Sequence, residues 1–521
     1  VANKKKSKAR LNHSKIFGWW SQLVGATTVL DRLGLLLLIG LGLRPILDPD
    51  FGWHLRSGTD LLKNLTVPKT DPYSYALPDW PWVNHEWLSD TMVAFIHNHL
   101  GSLAVIVLFT VLIAGIFLLA ASVEKVGLPY KILAALVGLL AALPILGVRM
   151  QMVTLLGIAW LIWTLYRYRR GDAKQLWWVP IVFLLWANLH GGFVIGLVIL
   201  AVFWLCEGAK CLIIGWRPAW YKKLRITELT LDRWQLRHLF GISWLAGLAT
   251  LINPYGWGLY YDFYKLFTNP FAIQHIGEWQ PVSLDNAISF NFMLYLALFG
   301  LVLLMTYRKI EPTRWIMSGL FLYLSLLYWR NMPFFMIISI GFLAEILQQH
   351  TNLIIGSLSR NKWILTGAVI IVGIIISQRI DDVAGKLINP TASFRSGGYP
   401  VDAVQWVKAN PDKIGKTMFN EYDWGGFLVW QFPEQKVFVD GRMPYWKTSD
   451  RFPFLEEQYA ISAQPGSIEI LEKTYGVDWI MIRPDRQLAL VLSGQKDWKP
   501  VYYDAWAIIY RRIESSDKSN T

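Results

Sequence analysis

The chain has 521 residues, of which 54% are hydrophobic and only 17% charged. That balance excludes an ordinary soluble enzyme of this size, and two cysteines exclude a disulfide framework or a cysteine-based zinc site. The net charge of +13 sits largely in short segments between apolar runs, which fits positive-inside membrane topology and argues against a nucleic-acid partner.

Apolar runs of about 17–25 residues recur, long enough to cross a hydrocarbon core of ~30 Å. The expected fold class is an α-helical polytopic membrane protein with about eleven transmembrane helices, followed by a soluble α/β domain. Residues 1–28 read as a basic cytoplasmic tail before an uncleaved first span. Spans are expected near 29–47, 102–121, 130–147, up to 165, 176–189, up to 214, 239–252, 290–307, 314–329, 333–348 and 363–379. The transmembrane domain is thus 29–379, with a first external loop at 48–100. A short interfacial helix is expected over 51–64, and a helix restarts near Trp87.

The topology rests on charge. Segments read as cytoplasmic carry Arg167, Arg169, Arg170, Lys174, Lys222, Lys223, Arg225, Arg308, Lys309, Arg314, Arg360 and Lys362. The opposite loops are acidic or nearly neutral. An odd number of spans puts the C-terminal region, 380–521, on the acidic-loop side. There DAVQWVKAN and SIEILEKTYG read as helices, and KTMFN, KVFVD, DWIMIRP and WAIIYRR as strands. GGFLVWQF fits either.

The chemistry is concentrated in the first loop. Asp48-Pro49-Asp50 places two carboxylates just past a span. They can share a divalent cation, Mg2+ or Mn2+, or one can act as a base on an acceptor hydroxyl. The bland alternative is a solvated turn or an N-cap for the helix at Phe51. His85-Glu86 closes the loop and suits a metal or a phosphate, but Ser89 breaks the H-E-x-x-H zinc peptidase pattern. His54, nearly two helical turns after Asp48, suits the same cavity. Arg149, His190 and Arg330 stand at span ends on the acidic side, where topology disfavours cations. Either a lipid phosphate or the loop carboxylates would partner them. Glu278 in GEWQP and Asn253 in NPYG are further candidates for the cavity. NEYDWGGFLVW and VDGRM read either as acceptor contacts or as turns built on their glycines.

The runs DPDFGWHLRSG, TDPYSY and WVNHEWLSD resemble the first-loop signature of the C-type membrane glycosyltransferases, the GT-C superfamily. INPYGW, EWQP, WRNMP, YDWGGFLVW and VFVDGR resemble further signatures downstream. The likeness is to prokaryotic members grouped with the protein mannosyltransferases and aminoarabinose transferases. It implies an inverting transferase with a polyprenyl-phosphate sugar donor, a glycan, lipid or protein acceptor, and an extracytoplasmic active site in the cell membrane. It makes Asp48 the base with Asp50 beside it, and His85 and Glu86 the second half of the site. A metal or basic residues would stabilise the lipid phosphate. A transporter of lipid-linked glycans predicts ionisable residues inside spans and repeated halves. A non-catalytic assembly subunit predicts that Asp48 and Asp50 are replaceable.

Overall fold

The computed structural model describes residues 28–216, 230–283, 287–306, 311–358, 361–388, 391–447, 453–464, 466 and 468–513. Residues 1–27 of the expected tail lie outside that set, as do Lys222, Lys223, Arg225, Arg308, Lys309 and Arg360. Thr28 starts the first helix, α1 (Val29–Gly42), through a capping box with Asp31. Then come α2 (Phe51–Asn64), α3 (Trp87–Ala121), α4 (Leu128–Ala142), α5 (Gln151–Arg169), α6 (Val179–Leu189) and α7 (Phe193–Trp216). After them run α8 (Arg233–Ala249), the short α9 (Gly258–Phe267) and α10 (Pro270–His275), and α11 (Ala287–Thr306). The last three long helices are α12 (Pro312–Leu327), α13 (Met332–Leu358) and α14 (Lys362–Ile388). Prolines sit in the first turns of α4, α6 and α12, where the missing N–H is no loss. Within α3, Gly101 takes φ 78° and separates the end of the first loop from the apolar run that follows.

Each expected span coincides with one of these helices. Among the described residues, four stretches are long and apolar enough to cross a bilayer: Trp87–Ala121, Phe193–Trp216, Trp329–His350 and Lys362–Leu387. Leu128–Ala142, Leu176–Leu189 and Ser289–Leu304 are apolar but shorter. Span length alone therefore does not reach eleven crossings. The last helix also runs past residue 379. Asp381, Asp382 and Lys386 continue it in polar form, so the expected boundary falls inside α14.

The C-terminal region continues with α15 (Ala392–Ser396), α16 (Val401–Ala409), β1 (Met418–Asn420), α17 (Gly425–Gln431), α18 (Phe454–Ala463), α19 (Ile468–Lys473), β2 (Trp479–Ile482), α20 (Gln487–Ser493), β3 (Trp498–Tyr503) and β4 (Ile508–Arg512). Its sheet has the order β1-β2-β4-β3. β1 and β2 are parallel, with Phe419 opposite Ile480; β4 is antiparallel to both neighbours, with Ile480 opposite Tyr510 and Tyr503 opposite Ile508. GGFLVWQF is a helix. KVFVD, expected as a strand, is not one. Val437 makes a single bridge to Ser74 of the first loop, exchanging backbone hydrogen bonds with Tyr73 and Tyr75. Val437, Phe438 and Val439 are fully buried there. The hydrophobic, β-branched pattern records burial against another segment, which periodicity cannot distinguish from a sheet strand.

Candidate active site

Asp48, Pro49 and Asp50 form the turn between α1 and α2. One oxygen of Asp48 accepts the Asp50 N–H at 2.8 Å, an Asx turn. Asp50 stands at the N-cap position of α2 but makes no capping hydrogen bond. Its carboxylate lines a cavity of about 570 Å3 instead. The nine candidate residues Asp48, Asp50, His54, His85, Glu86, Arg149, His190, Glu278 and Arg330 all line that cavity. The C-terminal region closes it with Tyr422, Asp423, Arg442, Tyr445 and Tyr459.

Two charge clusters divide the lining. In the first, Arg149 Nε pairs with Asp48 and its Nη2 lies 2.5 Å from Glu278, while Arg330 lies 3.5 Å from the other Glu278 oxygen. Burial works against the charge on Arg149, but Asp48 and Glu278 outweigh it and hold the guanidinium firmly protonated. Burial likewise opposes Glu278, but Arg330 and Arg149 keep its pKa below the usual range. Asp50 is the exception. Burial, and then the charge of Asp48, raise its pKa to about 7. At neutral pH Asp50 is therefore close to half protonated.

The second cluster is built on histidine. His54 Nδ1 is 2.7 Å from Asp90, and its Nε2 is 3.6 Å from Glu86. Burial disfavours its charge, but Asp90 and Glu86 win and raise its pKa to about 9, so it is an imidazolium at neutral pH. His190 is the opposite case. Burial, then the nearby His85 and Arg330, push its pKa well below normal. Its Nδ1 accepts the Gly192 N–H at 3.0 Å, which leaves the proton on Nε2, 3.2 Å from Glu86. Glu86 thus receives a charged and a neutral imidazole, with His85 3.8 Å away.

The expected divalent cation finds a poor donor set. Among the described residues no group of three or more His, Cys, Asp or Glu side chains is disposed to hold a metal. Asp48 spends one oxygen on the Asp50 N–H and the other on Arg149. The cation beside the D-x-D pair is the guanidinium of Arg149.

The C-terminal region is fastened to the first loop by close backbone contact and buried charge. Gly52 of α2 and Gly426 of α17 face one another. A Cβ on Gly52 would strike the Gly426 carbonyl, and one on Gly426 would strike the Pro49 carbonyl. Arg442 lies buried between Asp71 of the first loop and Asp440, 2.5 Å from each. Its guanidinium packs over Tyr73 and Trp82. Tyr445 donates to Asp262 at 2.6 Å and ties in the second large loop. The acceptor-or-turn alternatives for YDWGG and VDGRM therefore gain a third answer, that both motifs dock the region onto the loop carrying Asp48. Sequence reasoning held Arg442 only within VDGRM, as an acceptor contact or a turn, and missed Asp262 and Tyr445 as part of the site. Arg and Asp in otherwise apolar or aromatic runs (VFVDGRM, YYDFY) were the available signal. Asn253 holds its own turn, accepting the Tyr255 N–H at 2.8 Å, and is not among the lining residues.

No protein-family model and no curated protein matches the sequence. Solved structures do match. The oligosaccharyltransferase of Archaeoglobus fulgidus in its apo form superposes with a TM-score of 0.54 at 13% identity, over 87% of this chain and 69% of that one. The archaeal oligosaccharyltransferase AglB from the same organism, in complex with an inhibitory peptide and a dolichol-phosphate, gives 0.54 at 14%, over 92% and 74%. The oligosaccharyltransferase of the first of these structures, tethered to an acceptor peptide containing the NVT sequon, gives 0.50 at 14%, over 93% and 74%. At these identities the likeness speaks for architecture alone: most of the chain shares the fold of these archaeal oligosaccharyltransferase structures.

Proposed function

We propose that the protein is an integral membrane glycosyltransferase that moves a sugar from a polyprenyl-phosphate-linked donor to a glycan, lipid or protein acceptor on the extracytoplasmic face. The observation that carries this reading is the meeting of the Asp48–Asp50 pair with Arg149 at one cavity, in a chain with the GT-C fold. Solved structures of that fold were obtained with a dolichol-phosphate and with peptides, a lipid phosphate and an acceptor.

The chemistry needs three things from the protein. An acceptor O–H or N–H must give up its proton as its oxygen or nitrogen bonds to the sugar. The sugar–phosphate bond must break, with the electron pair leaving on the phosphate. Water must stay out. The Asp48–Asp50 pair takes the proton, since a base works best with a pKa near the working pH. Arg149 and Arg330, already charged and held in place, neutralise the departing phosphate. His54, fixed by Asp90 and Glu86, keeps the acidic side of the cavity from accumulating unbalanced charge. Inversion follows if acceptor and phosphate lie on opposite faces of the sugar. No step passes through a divalent metal.

The test is transfer from a polyprenyl-phosphate sugar pool by purified protein at graded pH. Asp50→Asn should lower the rate by about 10²–10⁴-fold, the usual worth of a general base. In the wild type, the rate should rise with pH and level off above about 7, as Asp50 loses its proton. Asp48→Asn removes the neighbouring charge, so in whatever rate survives the inflection should move to lower pH. An inflection indifferent to Asp48 would remove the pair from the proton transfer.

A further inference from the structure

The short helix α9 has two unlike faces. Inward, Asp262, Phe263 and Leu266 line the large cavity, and Asp262 accepts the Tyr445 O–H that ties the helix to the C-terminal region. Outward, Tyr261, Tyr264 and Phe267 are 60%, 64% and 57% exposed, and Trp257, just before the helix, is 71% exposed. Steps of three and four residues put these four aromatics on one side of the helix. The rings of Tyr261 and Tyr264 are nearly parallel, as are those of Phe267 and Trp279.

The outer face carries no exposed charge. From residue 240 to residue 267 every exposed residue is apolar, aromatic or glycine. The cation of α9, Lys265, is drawn back to Asp262 at 3.5 Å and lies over the rings of Tyr261 and Tyr445. A short helix of this chain that faces water is built differently: on α19, Glu469 pairs with Lys473 and both are largely exposed. The aromatic strip also continues a longer apolar one. α8 exposes Phe240, Trp244, Leu245 and Leu248 along its length, and Ile252 follows at its end. Its start lies at the end of the bundle away from the cavity, where the Leu231 N–H donates to Glu207 at 3.3 Å. The 17 residues of α8 rise about 25 Å, close to the ~30 Å of a hydrocarbon core. The α9 segment therefore begins where α8 leaves that core.

We infer that α9 is an interfacial helix, lying in the head-group boundary of the leaflet on the first-loop side with its aromatic face in lipid. Trp and Tyr favour that boundary because an apolar ring and a polar N–H or O–H are both satisfied there. A helix bedded in this way need not be long enough to cross. One helix is then the wall of the cavity on one side and a membrane contact on the other. The bilayer fixes the height of Asp262 and, through Tyr445, that of the C-terminal region. The assignment rests on the membrane setting of the chain and not on sugar transfer, so it is tested without turnover.

The experiment places a nitroxide label on the full chain in phosphatidylcholine nanodiscs and compares its collisions with dissolved oxygen and with a water-soluble nickel chelate. In a Cys206→Ala, Cys211→Ala background, Tyr261→Cys and Tyr264→Cys carry the label. Lys473→Cys serves as the water reference and Leu248→Cys as the lipid reference. Labels at 261 and 264 should be shielded from the chelate relative to 473 and lie shallower than 248, at about 5–10 Å into the head-group and acyl boundary. Chelate access equal to that at 473 overturns the assignment, and so does a depth equal to that at 248. Access that is lost only when a soluble oligosaccharide is added also overturns it, and gives the face to a glycan instead. The unsubstituted protein supplies a second reading. A phosphatidylcholine with a photoreactive head group should mark residues 257–267, and marks confined to the long helices overturn the proposal.

Discussion

The two ends of the helical bundle each bury a set of charges, and they do opposite things with them. At the end away from the first loop, Arg169, Lys210, Arg170 and Arg314 meet Glu207, Glu311, Glu124 and Glu345. Four cations face four carboxylates, Glu207 is fully buried, and Thr313 donates to it as well. A pocket beside Glu124 and Arg314 is about 10 Å3, too little for a ligand. At the first-loop end, the carboxylates Asp48, Asp50, Glu86, Asp90 and Glu278 outnumber the firm cations Arg149, Arg330 and His54. Burial, and then the charge of Asp48, raises the pKa of Asp50 there, and the cluster opens on a large cavity. A charge set that is closed and matched holds helices in register. One that is open and mismatched is poised to accept a proton or a ligand.

The largest expected effect that separates the two ends is on stability. Lys210→Met leaves Glu207 and Glu311 with one cation fewer in a buried place. It should destabilise the folded protein by about 3–5 kcal/mol, the cost of breaking a buried pair from one side. Thermal unfolding in detergent measures it. Protein that remains folded should transfer sugar normally. A variant with wild-type stability but impaired transfer would give the closed end a part in the chemistry, and the contrast between the ends would fail.

A smaller effect is expected where the C-terminal region docks. Gly426→Ala forces a methyl group against the Pro49 carbonyl. Overpacking of this kind costs about 1–3 kcal/mol. Because Pro49 lies between Asp48 and Asp50, the strain should also displace the carboxylates and reduce transfer more than stability. Limited proteolysis of the C-terminal region, run beside the transfer assay, distinguishes undocking from unfolding. The same substitution at Gly466, whose Cβ would meet nothing, is the control.

Much of this was legible in the sequence, and what escaped has physical reasons. Helices announced themselves by apolar runs, and α2 by the spacing of Phe51, Leu55, Leu61 and Leu62. The first loop was conspicuous because acids, imidazoles and indoles are rare together beside a span. His54, His85 and Glu86 could be gathered because a short loop limits how far apart they can lie. Partners distant in sequence were another matter. Nothing local shows that Arg442 reaches Asp71, or that Gly426 sits on Gly52, since both contacts are made only when the C-terminal region folds back. KVFVD misled because one strand-like pattern serves both a sheet and a buried docking segment.

The smallest expected effect concerns the metal, and it sharpens what the open end is for. The D-x-D pair on its own invites a divalent cation, and a lipid phosphate needs positive charge beside it. Here Arg149 already stands between Asp48 and Glu278, with Arg330 behind it. A guanidinium cannot be lost to a chelator, and it directs its donors at fixed angles. Prolonged treatment with EDTA should therefore leave the transfer rate unchanged, measured against untreated protein at the same pH. Arg149→Gln should be impaired, and adding Mg2+ or Mn2+ should not restore it, because one amide and two engaged carboxylates do not assemble the oxygen set those ions require. Loss of transfer on chelation, reversed by one of these ions, would show instead that Asp48 releases Arg149 and takes up a metal during turnover.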